Sequence, residues 1–310
     1  MNKITIAICT YNRADLLVDC LKSFTPEYQN YDSKLYEVLI VNNNSSDDTQ
    51  IVATKFVEKY DNFRVIIETN QGLSHARNRA IKESNGEWIV YIDDDAYAKE
   101  NFMNILNKQI ELNQYDCFGG VYLPWYKFGK VKWYKDEFGS NIKKNNNNGI
   151  LNNISYMDGG IMIIQKVLLE KYNGFDISLG MSGTSVAYGE ETHFQKKLWQ
   201  DNVTVGFVEN LIIYHLVPMY KQNLSWFLKS SYANGRDAWI TFHQTPTVLK
   251  LIKLTLSILF NIIKKGVINL PRLINEKDYY KQNYVIDALQ TPANSFGKLI
   301  SGTKLLIGAK

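Results

Sequence analysis

The stretch Gly86-Glu87-Trp88-Ile89-Val90-Tyr91-Ile92-Asp93-Asp94-Asp95-Ala96-Tyr97 decides the fold of this 310-residue chain. Residues 88–92 are apolar and β-prone, which predicts a strand buried on both faces. Three carboxylates follow at once, and because adjacent acids repel one another, they are expected to face water or to hold a cation. Hard oxygen ligands at the carboxyl end of a strand in an open α/β sheet predict a site for a divalent metal ion.

Strands and helices alternate on the N-terminal side of this stretch. Strands are predicted over 4–10, 36–41 and 63–67, and helices over 15–24, 49–60 and 72–84. Beyond it, the pattern predicts a helix over 101–113, a helix that opens within 188–194 and runs through 199, and strands over 118–122, 203–208 and 211–215. Such alternation is typical of an α/β fold with a mostly parallel sheet. The spacings match neither a GxGxxG nor a P-loop fingerprint, so a nucleotide would be bound by polar loops and a metal.

The charge is divided unevenly along the chain. Residues 1–220 hold 22 Lys/Arg and 27 Asp/Glu, whereas residues 221–310 hold 13 Lys/Arg and 4 Asp/Glu. We therefore expect a catalytic domain over 1–220 and a basic, mainly helical C-terminal region over 221–310. A basic region on an acidic body predicts an anionic surface as the partner of that region alone.

Composition excludes several other classes of protein. The three cysteines form no CxxC pair, which argues against a disulfide framework and a zinc site. The N-terminus runs straight into a strand without a signal peptide, so a cytoplasmic location is expected. The aromatic and basic run 125–135 could contact nucleic acid, but the acidic body and the lack of a recognition motif argue against that partner.

Four segments in order resemble family 2 glycosyltransferases of the GT-A fold: Ala7-Ile8-Cys9-Thr10-Tyr11-Asn12-Arg13, the Asn-rich loop 42–49, Asn70-Gln71-Gly72-Leu73-Ser74-His75-Ala76-Arg77-Asn78 and Asp93-Asp94-Asp95. The resemblance covers the first 100 residues, and weaker matches extend to about residue 240. It implies a Rossmann-like GT-A domain that binds a nucleoside-diphosphate sugar, expected to be a UDP-sugar, and transfers the sugar with inversion.

The resemblance also implies roles for individual residues. Asp95 would bind the metal, Mn²⁺ or Mg²⁺, and His215 would be a second ligand. The donor nucleotide would be bound by Thr10, Asn12, Arg13, Asn43, Arg77, Asp93 and Asp94. Asn42 stands where the family commonly has Asp, which leaves the identity of the nucleotide base open.

Gly159 and Gly160 precede an apolar strand, allow close backbone approach, and would face the donor sugar and acceptor. Trp125 and Trp133 could stack on sugar rings, although packing on the core is an equal alternative.

A second acidic pair, Glu190-Glu191, lies at the start of a predicted helix, where acids are electrostatically favoured. Inverting transfer needs a base that deprotonates the acceptor hydroxyl. The family usually has Glu-Asp here with Asp as the base, so Glu191 is the expected base and Glu190 the alternative.

The C-terminal region contains an amphipathic helix over 247–266. Lys250, Lys253, Ser257, Asn261 and Lys264 form a narrow polar stripe, and its longest uncharged run is too short to cross a bilayer. A wide apolar face beside lysines predicts an interfacial helix on anionic lipid at the inner face of the cell membrane. The alternative is a helix that packs on the catalytic domain or on a second copy.

The sequence therefore predicts a metal-dependent transferase acting on a hydroxyl of a glycan or lipid-linked acceptor. A nucleotidyltransferase is a rival, but it would carry a Gly-rich basic loop where this chain has Tyr11-Asn12-Arg13. A second alternative is a non-catalytic subunit that binds a sugar nucleotide or a glycan. The departures from the family pattern at Asn42 and Glu191 leave this alternative open.

Overall fold

The computed structural model describes residues 4–142, 149–151, 156–182 and 187–308. The strands are β1 (Ile4–Thr10), β2 (Tyr36–Asn42), β3 (Phe63–Ile67), β4 (Trp88–Asp93), β5 (Ala96–Ala98), β6 (Cys117–Trp125), β7 (Gly149–Ile150), β8 (Ile161–Gln165) and β9 (Val205–Leu216). The helices are α1 (Ala14–Lys22), α2 (Pro26–Gln29), α3 (Thr49–Lys59), α4 (Leu73–Glu83), α5 (Phe102–Leu112), α6 (Lys166–Lys171), α7 (Glu190–Gln200), α8 (Leu224–Thr241), α9 (Val248–Asn275) and α10 (Lys281–Leu306).

The strands form one sheet in the order β3-β2-β1-β4-β8-β6-β9-β5, with β7 paired to β9. The first four are parallel, as is the β6–β9 pair, while β8 lies antiparallel between β4 and β6. The predicted α/β class is confirmed. Since β1, β2 and β4 run in the same direction, their polar ends meet at one edge of the sheet.

The strand that decides the fold is buried on both faces, as predicted. Trp88, Val90 and Ile92 pack into one hydrophobic cluster, and Ile89 and Tyr91 pack into another on the opposite face. This alternation follows from the two-residue period of a strand, and apolar residues at every position satisfy both layers. Because the five residues before it are buried, Asp93 is fixed in position as the last residue of β4, where the loop begins.

The structure differs from the predicted elements near the end of the sheet. The strands expected over 203–208 and 211–215 are one strand, β9, with exposed Glu209 and Asn210 in its middle. A register shift on β6 between Gly120 and Val121 accommodates that irregularity, so the polar pair does not end the strand. The short strand β5 was not predicted, because three residues carry too little periodicity.

The chain divides into two compact units. The first consists of 1–125, 139–183 and 190–216, and the second of 126–138, 184–189 and 217–310. The first unit holds the sheet, and the second holds α8, α9 and α10. Among the described residues, no helix combines the length and apolar character needed to span a membrane.

Candidate active site

A cluster of two carboxylates and one imidazole lies where β4 ends. The antiparallel register of β5 and β9 pairs Ala96 with His215, which brings His215 beside the acidic run. The Nε2 atom of His215 lies 3.3 Å from Oδ2 of Asp93 and 3.2 Å from Oδ1 of Asp95. Asp93 and Asp95 each offer a carboxylate oxygen, and His215 offers a ring nitrogen, as a possible metal ligand. These three atoms all lie within 4.8 Å of one another. The structure thus brings the two predicted ligands together and adds Asp93 as a third.

The chemistry of this cluster fits a divalent cation. Two carboxylate oxygens and one imidazole nitrogen form a donor set that suits Mn²⁺ and, with more oxygen ligands, Mg²⁺. The backbone leaves room for it, because a β-carbon on Gly160 would lie 2.9 Å from Oδ2 of Asp93 and 3.6 Å from the His215 ring. Asp93, Asp95 and His215 are therefore the residues that would hold the ion.

Gly160→Ala should weaken Mn²⁺ binding by about 10- to 100-fold, the range seen when residues that orient metal ligands are changed. The added methyl group would displace the Asp93 carboxylate from its position beside His215. Isothermal titration with MnCl₂ measures the effect. Gly266→Ala in α9 is a matched control, since its β-carbon would come no closer than 3.4 Å to the Tyr284 hydroxyl. Equal affinities for the two variants would contradict the packing argument.

Asp94 lies with the predicted nucleotide-binding residues and is not a member of the cluster. Burial, followed by the nearby Asp95 carboxylate, raises the pKa of Asp94 to about 7. Arg13 and the Thr10 hydroxyl oppose that rise, and the parallel register that pairs Cys9 with Asp93 brings Thr10 and Asp94, the residues that follow them, to the same edge of the sheet. The acidic run is therefore divided, with Asp93 and Asp95 beside His215 and Asp94 beside the end of β1.

Hydrogen bonds join the loops that follow β1 and β2. Asn12, in a left-handed conformation with φ 51°, donates its backbone N–H to Oγ of Ser45 at 3.0 Å and accepts from the N–H of Ser46 at 2.8 Å. The N–H of Arg13 donates to Oγ1 of Thr49 at 3.0 Å. Of the residues predicted to bind the donor nucleotide, Thr10 thus ends β1, and Asn12 and Arg13 follow it on a loop that is hydrogen-bonded to the loop after β2.

Asn42, which ends β2, and Asn43, which follows it, both form hydrogen bonds within the protein. Asn43 donates to the carbonyls of Glu68 and Asn70 at 3.0 and 2.7 Å and accepts from the N–H of Gly72 at 2.7 Å. Asn42 donates to Gln50 at 2.8 Å and accepts from the N–H of Ser45 at 2.9 Å. Both amides therefore shape the loops around the predicted base site. Contact between Asn43 and the base of the donor nucleotide stays a prediction.

Arg77 connects the metal-ligand cluster to the second acidic pair. Its side chain is 3% exposed, and Nη1 lies 2.7 Å from Oε1 of Glu190, which is 5% exposed. Nη2 donates to the carbonyl of Gly159 at 3.1 Å and lies 3.9 Å from Oδ1 of Asp93. Burial alone would lower the pKa of Arg77, but Glu190 and Asp93 raise it, so the guanidinium is charged.

Arg77→Met should destabilise the fold by about 3–5 kcal/mol, because it leaves the Glu190 carboxylate buried without its partner. Urea denaturation of the metal-free protein measures the free energy of unfolding. The double variant Arg77→Met/Glu190→Gln removes both charges and should recover part of the loss. A double variant no more stable than Arg77→Met would show that the cost comes from lost packing on Tyr91 and Phe175.

The structure distinguishes the two glutamates at the start of α7. Glu190 forms the buried ion pair with Arg77. Partial burial, followed by the neighbouring Glu190 carboxylate, raises the pKa of Glu191 well above its ordinary value. A carboxylate with a raised pKa is a stronger base than an ordinary glutamate. The arrangement therefore favours Glu191, between the two candidates, for taking up a proton.

The remaining candidates fall in different surroundings. Trp125 ends β6 and packs edge-to-face on Tyr97, with ring centroids 5.0 Å apart. Trp133 belongs to the second unit, where it packs on Tyr134 and Phe227 at 5.9 Å. The other candidate residues all belong to the first unit. Stacking of either tryptophan on a sugar stays a prediction.

Sequence reasoning missed two supporting residues. Asn141 is fully buried; it donates to Asp158 at 3.0 Å and to the carbonyl of Gly120 at 2.9 Å, and accepts from the N–H of Tyr122 at 3.0 Å. It thereby positions the segment that leads into Gly159. The Tyr122 ring lies 5.7 Å from that of His215. Asn141 sits in an irregular segment with no periodic signal, whereas the inward direction of Tyr122 follows from the alternation of β6.

Comparison with known proteins supports the predicted resemblance. The model of the family described as "Glycosyl transferase family 2" matches residues 5–172, which is more than half of the chain. Glycosyltransferase AglE of Haloferax volcanii is 33% identical over 118 residues, covering 38% of this chain and 38% of that protein. The chain thus spans less than half the length of the curated relatives that it matches first.

Two solved structures share the fold over nearly the whole chain. The mannosyltransferase PcManGT from Pyrobaculum calidifontis, in complex with GDP-Man and Mn²⁺, has a TM-score of 0.61 and 16% identity, covering 99% of this chain and 74% of that one. TarS 1–349 of S. aureus, in complex with UDP-GlcNAc, has a TM-score of 0.54 and 14% identity, covering 99% and 92%. The predicted GT-A fold is confirmed. With the matched family model, the chain belongs to glycosyl transferase family 2.

Proposed function

We propose that this protein is a metal-dependent, inverting glycosyltransferase that moves a sugar from a nucleoside-diphosphate sugar to a hydroxyl of a glycan or lipid-linked acceptor. One observation carries the proposal: a single buried guanidinium, that of Arg77, lies 3.9 Å from Asp93 of the metal-ligand cluster and 2.7 Å from Glu190. It joins a cation site to the acidic pair that contains a base, the two parts that this chemistry requires.

The proposed reaction assigns one task to each part of the site. Glu191 takes the proton of the acceptor hydroxyl as that oxygen bonds to the anomeric carbon of the donor sugar. The bond from that carbon to the phosphate oxygen breaks, its electron pair leaves with the nucleoside diphosphate, and attack from the opposite side inverts the centre. Asp93, Asp95 and His215 would hold Mn²⁺ or Mg²⁺, which when bound supplies positive charge that offsets the charge of the diphosphate.

The donor is proposed to be a UDP-sugar bound at the joined loops after β1 and β2. Thr10, Asn12, Arg13 and Asp94 lie there, and Asn43 shapes the neighbouring loop. The related folds include one in complex with UDP-GlcNAc and one in complex with GDP-Man, so both bases belong in the test. Arg77 would act from within the protein by holding Glu190 and Asp93, since its side chain is only 3% exposed.

Thermal-shift measurements with UDP- and GDP-sugars, each with and without Mn²⁺, test the donor and the cation together. We expect stabilisation by one UDP-sugar that depends on Mn²⁺, because a ligand stabilises the state that binds it. Release of free nucleoside diphosphate from that donor would then separate an enzyme from a binding subunit. If a donor stabilised the protein but no nucleoside diphosphate were released with any acceptor tested, the result would favour a non-catalytic binding subunit.

We also propose a division of labour along the chain, with residues 1–220 catalytic and residues 221–310 directed to an anionic membrane. The C-terminal region carries 13 Lys/Arg against 4 Asp/Glu. Contact of this region with the inner face of the cell membrane would place the enzyme where a lipid-linked acceptor is anchored.

A further inference from the structure

Helix α9 presents its apolar side to solvent. Six side chains on one side of the helix, here named the outer face of α9, are each more than half exposed: Leu249, Ile252, Leu256, Phe260, Ile263 and Val267. The exposed fraction reaches 63% at Leu256 and 68% at Ile263. Their spacing of three and four residues places them in one stripe along the helix. A helix on the surface of a globular protein normally turns such a stripe inward.

The opposite side of α9 explains this orientation, because Lys265 and Arg272 on that side contact α10. Nζ of Lys265 donates to Oγ1 of Thr291 at 2.7 Å. The Arg272 guanidinium lies 3.1 Å from Asp287, and the Tyr284 hydroxyl donates to the carbonyl of Gly266 at 3.2 Å. Since these contacts hold this side of α9 against α10, the outer face is turned away from α10.

Charge on α9 indicates what covers the outer face. The helix carries five cationic residues and no acidic one: Lys250, Lys253, Lys264, Lys265 and Arg272. Lys253 and Lys264 are exposed along one border of the outer face, and Nζ of Lys264 lies 5.5 Å from the centre of the Phe260 ring. Long lysine side chains at such a border can reach lipid headgroups while the apolar residues enter the acyl region.

The same charges disfavour a second copy of this chain as the occupant. In a symmetric dimer the same face meets itself, so the lysines of two α9 helices would approach one another without acidic partners on that helix. Like charges across an interface oppose association. A continuous apolar stripe beside cations is complementary instead to an anionic bilayer surface.

We propose that the outer face of α9 docks on an anionic lipid bilayer, with the helix axis parallel to the membrane plane. Leu256, Phe260 and Ile263 would enter the headgroup boundary, and Lys250, Lys253 and Lys264 would contact lipid phosphates. The proposal deepens the membrane contact proposed above by naming its surface, and it rests on that contact but not on the transferase chemistry.

Flotation of the purified full chain with lipid vesicles tests the proposal. We expect binding to vesicles of phosphatidylcholine mixed with phosphatidylglycerol at low salt, and much weaker binding to phosphatidylcholine alone. Leu256→Glu/Phe260→Glu/Ile263→Glu should abolish binding to both. Lys250→Gln/Lys253→Gln/Lys264→Gln should weaken binding to the anionic vesicles by about a hundredfold and leave binding to phosphatidylcholine unchanged.

A matched control separates the outer face from net charge. Leu112→Glu/Val167→Glu/Ile177→Glu replaces three scattered side chains of the first unit that are 52–61% exposed and adds the same charge. It should float with anionic vesicles as the unaltered chain does. The circular dichroism spectrum and the melting temperature of each variant check that it is folded.

Two results would overturn the proposal. The first is an unaltered chain that stays with the soluble fraction in both vesicle mixtures at low salt. The second is a dimer in analytical ultracentrifugation that the Leu256/Phe260/Ile263 variant converts to monomers, which would make the outer face an interface between copies. Donor hydrolysis is measured separately without vesicles, so failure of the proposed chemistry and failure of this docking surface give different results.

Discussion

Glu191→Gln should lower the rate of sugar transfer by about 10²–10⁴-fold, the contribution of a positioned general base, and leave the affinity for the donor unchanged. Glutamine keeps the size and the hydrogen-bonding shape of the side chain but cannot accept the acceptor's proton. Because the change acts on a step that follows donor binding, kcat should fall while donor-induced thermal stabilisation stays the same. Single-turnover transfer and a donor titration measure the two quantities.

The neighbouring variant Glu190→Gln is the matched control. Glu190 forms the 2.7 Å ion pair with the buried Arg77, so its loss should appear mainly as a lower free energy of unfolding. If Glu190→Gln abolished transfer in a fully folded protein while Glu191→Gln retained near-normal rates, the two roles would have to be exchanged.

The pH dependence of transfer gives an independent check on the base. Burial and the Glu190 carboxylate raise the pKa of Glu191, so its side chain keeps its proton to a higher pH than an ordinary glutamate does. A base must be deprotonated to act, so activity should be lost as pH falls through this raised value. The acidic limb of the kcat profile should therefore lie above the normal range for glutamate. A kcat profile that shows no loss of activity at any pH above the ordinary pKa of glutamate would contradict the assignment.

Local patterns allowed most of the first 125 residues to be predicted from the sequence. Alternating apolar runs placed β1, β2, β3 and β4 within a few residues of their observed bounds. The acidic run after β4 indicated the edge of the sheet where polar groups meet, because carboxyl ends of parallel strands share that edge. His215 was placed only by resemblance, since a histidine on a strand carries no signal about its partners.

Contacts distant in the sequence could not be predicted. Arg77 and Glu190 are 113 positions apart, and neither residue indicates on its own that both side chains are buried. The division of the acidic run, with Asp93 beside His215 and Asp94 near Arg13, likewise depends on the pairing of β5 with β9. On α9 the period revealed a narrow polar stripe, but the side that packs inward is decided by contacts of Lys265 and Arg272 with α10.

Asp95→Asn should remove Mn²⁺-dependent stabilisation and lower transfer by about 10²–10³-fold, the effect of deleting one preorganised electrostatic contact to a transition state. The amide is nearly isosteric with the carboxylate but carries no charge, so the ligand set with Asp93 and His215 loses one of its two anions. Calorimetric titration with MnCl₂ measures the affinity, and transfer assays over a range of Mn²⁺ concentrations measure the activity.

The adjacent variants distinguish a metal site from a general loss of negative charge. Asp93→Asn removes the other carboxylate of the cluster and should weaken Mn²⁺ binding as Asp95→Asn does. Asp94→Asn removes the same charge one position away, beside Arg13, and should retain Mn²⁺ affinity while donor affinity falls. Equal loss of Mn²⁺ binding in all three variants would mean that the run attracts cations only by its summed charge, and the ligand set defined by His215 would have to be abandoned.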